Sequence, residues 1–178
     1  MAAPVRRYDP DRRQRIIDAA IRVVGAKGIA GLSHRSVAAE ADVPLGSTTY
    51  HFKTLDELLV AALRQANEAC APALVPRAGE DLAGALARLL GELLTAGRGR
   101  AELEYELYLE ALRRPALRPV AAEWCGAVVA ALADHTDPLT ARALVAVMDG
   151  ISLQTLLTDT PYDAAYARDL LGRVLRPA

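Results

Sequence analysis

Helix-start signals punctuate this chain more firmly than any other feature. Asp9-Pro10, Asp137-Pro138 and Thr160-Pro161 each join a capping side chain to a proline whose missing N–H costs nothing in a first helical turn. Ser33 and Thr54 supply two more caps, the second with Glu57 three residues on, the spacing of a capping box. Between these signals apolar residues recur at helical spacing, as in Ile17, Ile21, Val24 and again in Leu55, Leu58, Leu59, Ala62, Leu63. A chain cut into short amphipathic helices can bury its apolar stripes only by packing helix on helix. The expected fold is therefore all-α, with nine helices in two parts.

The first helix is expected from Pro10 to Lys27, capped by Asp9 and stopped by Gly28. "HRSVAAEA" is a short second helix, with Val37, Ala38 and Ala41 inward, and Asp42-Val43 is a tight break. The segment from about Pro44 to Phe52 is ambiguous on propensity because of its Thr pair, but a lone strand among helices would have no partner, so a two-turn helix is favoured. A fourth helix starts at Thr54 and ends before Pro72. "GEDLAGALARLLGELLTAG", closed by Gly97, and "GRAELEYELYLEALRR", with Tyr105, Tyr108, Leu109 and Leu112 on one stripe, are the fifth and sixth. Pro115 and Pro119 open the seventh, which runs to about His135; Pro138 and Pro161 open the last two.

No apolar run approaches the ~20 residues that span a bilayer, and "MAAPVRRYDPDRRQR" lacks the apolar centre of a signal peptide. A cytoplasmic protein without a membrane partner is expected. Cys70 and Cys125 belong to no metal-ligand or redox spacing, so both are expected as buried free thiols. Charge is uneven. Residues 1–53 hold nine Arg/Lys against five Asp/Glu, while the rest hold twelve against seventeen. A basic head on an acidic body points to a polyanionic partner for the head.

That head contains "PLGSTTYHFKT", residues 44–54, where four hydroxyl-bearing residues precede His51, the only Phe and Lys53. Three short helices with a tight break before the third match the helix-turn-helix pattern, whose last helix enters the DNA major groove. Hydroxyls, His, Lys and small methyl-bearing groups are what base edges and phosphates call for.

"LSHRSVAAEADVPLGSTTYHFKTLDELL", preceded by "RRQRIIDAAIRVVGAKGIAGLS", resembles the DNA-binding signature of TetR-family transcriptional regulators over about residues 10–63. The resemblance implies a DNA-binding domain at 1–53 and a ligand-binding and dimerisation domain at 54–178. It places Ser33, Arg35, Leu45, Gly46, Ser47, Thr49, Tyr50, His51 and Lys53 at the DNA, and Val37, Ala38, Val43, Thr48 and Phe52 in the head's core. Four positions depart from the usual pattern: Asp42 for a turn Gly, Pro44 for Ser, Thr49 for an aromatic and Leu55 for Lys.

The resemblance further implies a homodimer on a near-palindromic double-stranded operator, released by a small-molecule inducer bound in the helical body. Tyr105, Glu106, Tyr108, Trp124, Cys125, Met148 and Gln154 are the pocket candidates, being polar or aromatic groups in an apolar body. Should one of Glu102, Glu104, Glu106 and Glu110 turn inward, a lipophilic cation is the expected inducer. The eighth and ninth helices are apolar over a wide arc, so Leu144, Val147, Ile151, Thr155, Tyr166 and Leu170 are candidates for the dimer face.

Two rivals stand against this reading. An enzyme finds little support: His34, His51 and His135 are dispersed, and "GAKGIAG" follows a helix rather than a strand. No cofactor or metal is expected. An interaction module whose basic head binds a protein or anionic surface would carry its cations on an amphipathic stripe, whereas here they surround a capped three-helix unit.

Overall fold

The computed structural model describes residues 9–70, 77, 79–158 and 160–176, with the side chains of residues 69 and 70 left aside. Pro72 and the thiol of Cys70 thus lie outside the described residues. The helices are α1 (Arg12–Lys27), α2 (His34–Glu40), α3 (Leu45–His51), α4 (Leu55–Cys70), α5 (Leu82–Leu94), α6 (Arg98–Glu110), α7 (Arg118–Leu132), α8 (Pro138–Thr158) and α9 (Ala164–Leu175). Short 3-10 turns at Ile29–Gly31 and Pro115–Leu117 precede α2 and α7.

The chain divides into two compact units, Met1–Ala62 and Leu63–Ala178. The division falls inside α4, because the first turns of that helix bury Leu58 and Leu59 completely. In the first unit α1 packs on α2, and α2 on α3, around Ile16, Val24 and Val37. In the second, α5 lies against α9, and α8 against both α7 and α9. Leu86, Leu132, Leu144 and Leu171 are fully buried at the centre of that core.

Several helix boundaries differ in detail from expectation. α1 begins at Arg12 with Asp11 as its cap residue, and Asp9 instead accepts hydrogen bonds from Asp11 N and from Arg15. α9 begins beyond Pro161 because the Asp163 carboxylate accepts from the N–H groups of Ala165 and Tyr166. At α4 the Thr54 hydroxyl accepts from Glu57 N, but Glu57 reaches back to Lys53 N rather than to Thr54. Gly97 closes α5, its N–H donating to the Glu92 carbonyl at 3.0 Å, and also leads into α6. On α6 the inward positions are Ala101 and Leu107, leaving Leu109 and Leu112 exposed instead of on a buried stripe. α7 ends at Leu132, short of His135.

Candidate DNA-binding surface and ligand cavity

The head presents α3 through a chain of local constraints. Ser33 caps α2 by accepting from Ser36 N at 3.0 Å, while the Ser36 hydroxyl accepts from Ser33 N, so two orphan donors are satisfied reciprocally. The turn to α3 passes through Asp42 at φ 52°, a left-handed conformation that Asp adopts more readily than most residues. Arg15 braces this turn from α1, donating to the carbonyls of Ala41 and Asp42.

α3 then divides by face. Thr48 is fully buried, its hydroxyl donating to the Leu45 carbonyl at 2.8 Å, and Phe52 is buried beneath the Arg13 guanidinium, 5.0 Å from the ring centroid. Leu45, Gly46, Thr49 and Tyr50 are exposed, and Ser47 and His51 are half-buried. Tyr50 is 81% exposed and meets His51 edge to face. A Cβ at Gly46 would touch nothing within 4 Å, so the backbone there is open to an approaching surface.

Arg35 and Lys53 are exposed on the same unit. Arg35 pairs with neither Glu40 nor Asp42: Glu40 is taken by Arg22 at 2.6 Å, and Asp42 lends Arg15 only its carbonyl. The Ser33 hydroxyl, in contrast, is spent on capping α2, so only its helix-terminal position faces outward.

The second unit holds a partly open cavity of about 100 Å³ within a recess of about 720 Å³. Tyr105 and Tyr108 of α6 and Trp124 and Cys125 of α7 form its aromatic side, and Val145, Met148, Asp149 and Ser152 of α8 its opposite wall. Asn67 of α4 and Leu90 and Leu93 of α5 close the ends. Glu106 is exposed and absent from this lining, since it sits one residue, about 100° of helical rotation, from Tyr105. Gln154 likewise points elsewhere, into a recess between α8 and α9 with Thr155, Tyr162 and Tyr166.

Polar groups in the cavity are held in pairs. Tyr105 donates to the Asp149 carboxylate at 3.0 Å, and the Tyr108 hydroxyl lies 3.0 Å from the Cys125 thiol. Cys125 is therefore a half-exposed cavity group and not a buried core thiol. Burial raises the carboxyl of Asp149 above its ordinary range, partly offset by the Tyr105 hydrogen bond. Burial likewise raises Tyr105, while the hydrogen bond to Cys125 is the largest cause raising Tyr108. Glu104 is the α6 acid that turns toward the cavity, and Arg100 pairs with it at 2.7 Å.

Asp149 and Ser152 were missed from sequence. The available signal was a lone acid inside the apolar run "ALVAVMDGISL", where a carboxylate is costly unless it has a task. On the outer side of the body, Leu144 is fully buried in the protomer's own core and offers a partner nothing, whereas Val147, Thr155 and Leu170 are half-buried and Tyr166 is 55% exposed.

Residues 77–177 match the family described as tetracyclin repressor-like, C-terminal domain, and residues 16–62 match bacterial regulatory proteins, tetR family. The chain belongs to the TetR family. It is a ligand-responsive transcriptional regulator. This TetR-family chain is 32% identical over 162 residues to the HTH-type nicotine-responsive transcriptional repressor HdnoR of Paenarthrobacter nicotinovorans, covering 81% of this chain and 83% of that one. Among solved structures, the multidrug binding protein EbrR complexed with ethidium is 72% identical with a TM-score of 0.86, covering 94% of this chain and 99% of that one. EbrR is also known complexed with proflavin and with malachite green. The TetR-family member SCO1917 of Streptomyces coelicolor A3 is 71% identical with a TM-score of 0.84, covering 95% and 100%. No described helix of this regulator is long and apolar enough to cross a membrane.

Proposed function

We propose that this regulator is a cytoplasmic repressor that binds a near-palindromic operator as a homodimer and releases it when an aromatic, lipophilic cation enters the α4–α8 cavity. The observation that carries the ligand class is the cavity itself, in which Trp124, Tyr105 and Tyr108 offer ring faces beside the carboxylate of Asp149. Aromatic walls stack on flat ligands and attract cations through their quadrupoles. Ethidium, proflavin and malachite green, three of the ligands seen with EbrR beside imidazole, are cationic dyes of this kind.

The cavity's size supports the switch. At about 100 Å³ it is smaller than the ~300–1,000 Å³ of ordinary ligand pockets, so a dye of three rings enters only when Trp124, Met148 or their helices move. A ligand that binds the expanded state more tightly shifts the population toward it; equal affinity would shift nothing. Asn67 lines the cavity from α4, and α4 continues unbroken into the first unit, so it is the lever we assign.

At the DNA, α3 supplies Leu45, Gly46, Ser47, Thr49, Tyr50 and His51, flanked by Arg35, Lys53 and the α2 terminus at Ser33. Two such helices would sit in successive major grooves about 34–36 Å apart, or a multiple of that. Val147, Thr155, Tyr166 and Leu170 on α8 and α9 form the proposed dimer face; Ile151, like Leu144, is buried in the protomer's own core.

A mobility shift on the DNA upstream of the protein's own gene, with and without malachite green, tests this reading. An unrelated repressor on its own operator controls for direct effects of the dye on DNA. Retention of the DNA, with release by the dye only for this protein, is the expected result. Failure to retain any DNA, or release of both proteins alike, would sink it.

A further inference from the structure

We infer that Asp149 is the specificity-determining charge of the cavity: its carboxylate, positioned by Tyr105, pairs with the ligand cation, and Glu104 does not share that role. The inference rests on the ligand class proposed above and names the residue that enforces it.

Two acids line the cavity, and their surroundings differ. Glu104 is held by Arg100 at 2.7 Å, so its negative charge is already answered within α6. Asp149 has no basic partner among the described residues. The Tyr105 hydroxyl donates to Oδ1 and fixes the carboxylate's orientation, leaving Oδ2 without a hydrogen bond there. One helical turn on, Ser152 shares the cavity-facing side of α8. Its Oγ is buried, lies close enough to Tyr105 to favour that hydroxyl's ionised form, and completes no hydrogen bond of its own. An unanswered carboxylate and an unspent hydroxyl on one wall form a receptor for a cation bearing amino donors.

The empty cavity penalises the ionised form of Asp149, and a bound cation removes that penalty. Binding then pairs the carboxylate with the cation and answers its charge. The other titratable groups on the cavity wall are Glu104, Tyr105 and Tyr108 of α6 and Cys125 of α7; α4 and α5 contribute only Asn67, Leu90 and Leu93. None of these is an unpaired acid, so the role of pairing with the cation is assigned to Asp149.

The test compares ethidium with 3,8-diamino-6-phenylphenanthridine, which keeps the amino donors and is neutral at pH 8, on wild type, Asp149→Asn and Glu104→Gln, by fluorescence titration and calorimetry. Wild type is expected to bind ethidium at least about tenfold more tightly than the neutral compound, as a charge-assisted contact provides. Asp149→Asn should close most of that gap, and Glu104→Gln should leave it open. Melting curves establish that each variant is folded. A gap unchanged in Asp149→Asn, or closed by Glu104→Gln, overturns the assignment while leaving the ligand class standing. No ethidium binding by wild type overturns both.

Discussion

Tyr162 packs against Gly91: a Cβ built on that glycine would stand 2.9 Å from Cε1 of the ring. The Tyr162 hydroxyl donates to the Ala87 carbonyl one turn earlier on α5, so the ring is held at both ends. Burial pushes this hydroxyl up to about 12, consistent with a phenol that stays neutral and donates. The contact anchors the segment leading into α9 on α5, the most extensive helix pair of the second unit.

Gly91→Ala should therefore destabilise the protein, by about 1–3 kcal/mol, because the added methyl displaces a ring that cannot swing away freely. The sign is diagnostic, since Gly→Ala in an unobstructed helix interior stabilises by about 0.5–1 kcal/mol. Gly126, exposed on α7 with nothing within 4 Å of its would-be Cβ, supplies that contrast. Urea melts at one fixed protein concentration should move in opposite directions for Gly91→Ala and Gly126→Ala.

Much of this architecture was legible in sequence because helix caps and 3.6-residue periodicity are local signals. Ser33, Asp137 and the left-handed position at Asp42 could be placed from residue type alone. The direction of a side chain within a multi-helix body is not local. Leu144 and Val147 lie three residues apart on α8, yet one is sealed in the core and the other is half-exposed, a distinction set by where α5 and α9 happen to pack. Tyr105, Tyr108, Trp124, Cys125 and Met148 share the cavity, but Glu106 and Gln154 turn away, and the single acid in the apolar run of α8 carries no periodic signal for the side it faces.

Arg35→Ala and Tyr50→Ala should each weaken operator binding about 5- to 100-fold while leaving the oligomeric state unchanged. Both side chains are exposed, and Arg35 has no ion pair among the described residues, so neither change should lower the melting temperature appreciably. The salt dependence of binding should flatten by roughly one ion for Arg35→Ala if it meets a phosphate. Unchanged binding at physiological salt would remove these residues from the interface.

Tyr166→Arg should shift the protein toward monomers in sedimentation. The ring is 55% exposed in the isolated protomer, so the change costs the monomer little, whereas a central aromatic in an interface commonly contributes about 2 kcal/mol or more. A protomer that stays folded and dimeric in this variant would place the contact elsewhere.

The stability of Asp149→Asn relative to wild type should depend on pH, and the sign follows from linkage. Burial raises the folded-state pKa of Asp149 above its ordinary 3.8, with the Tyr105 hydrogen bond acting in the other direction. Between those two values the folded protein holds a proton that the unfolded chain has lost. The native state is thus at its most favoured below pH 3.8, and that contribution declines as pH rises through the folded-state value. Asparagine cannot ionise and still offers a carbonyl oxygen to Tyr105, so it escapes the decline. The difference in melting temperature, variant minus wild type, should therefore grow as pH rises above about 4 and level off above the folded-state value. A saturating aromatic cation should shrink that difference at pH 7, because it stabilises the ionised wild-type cavity and not the variant. A difference that is flat with pH, or that grows toward acid, would show that Asp149 is ionised in the empty cavity as freely as in the unfolded chain.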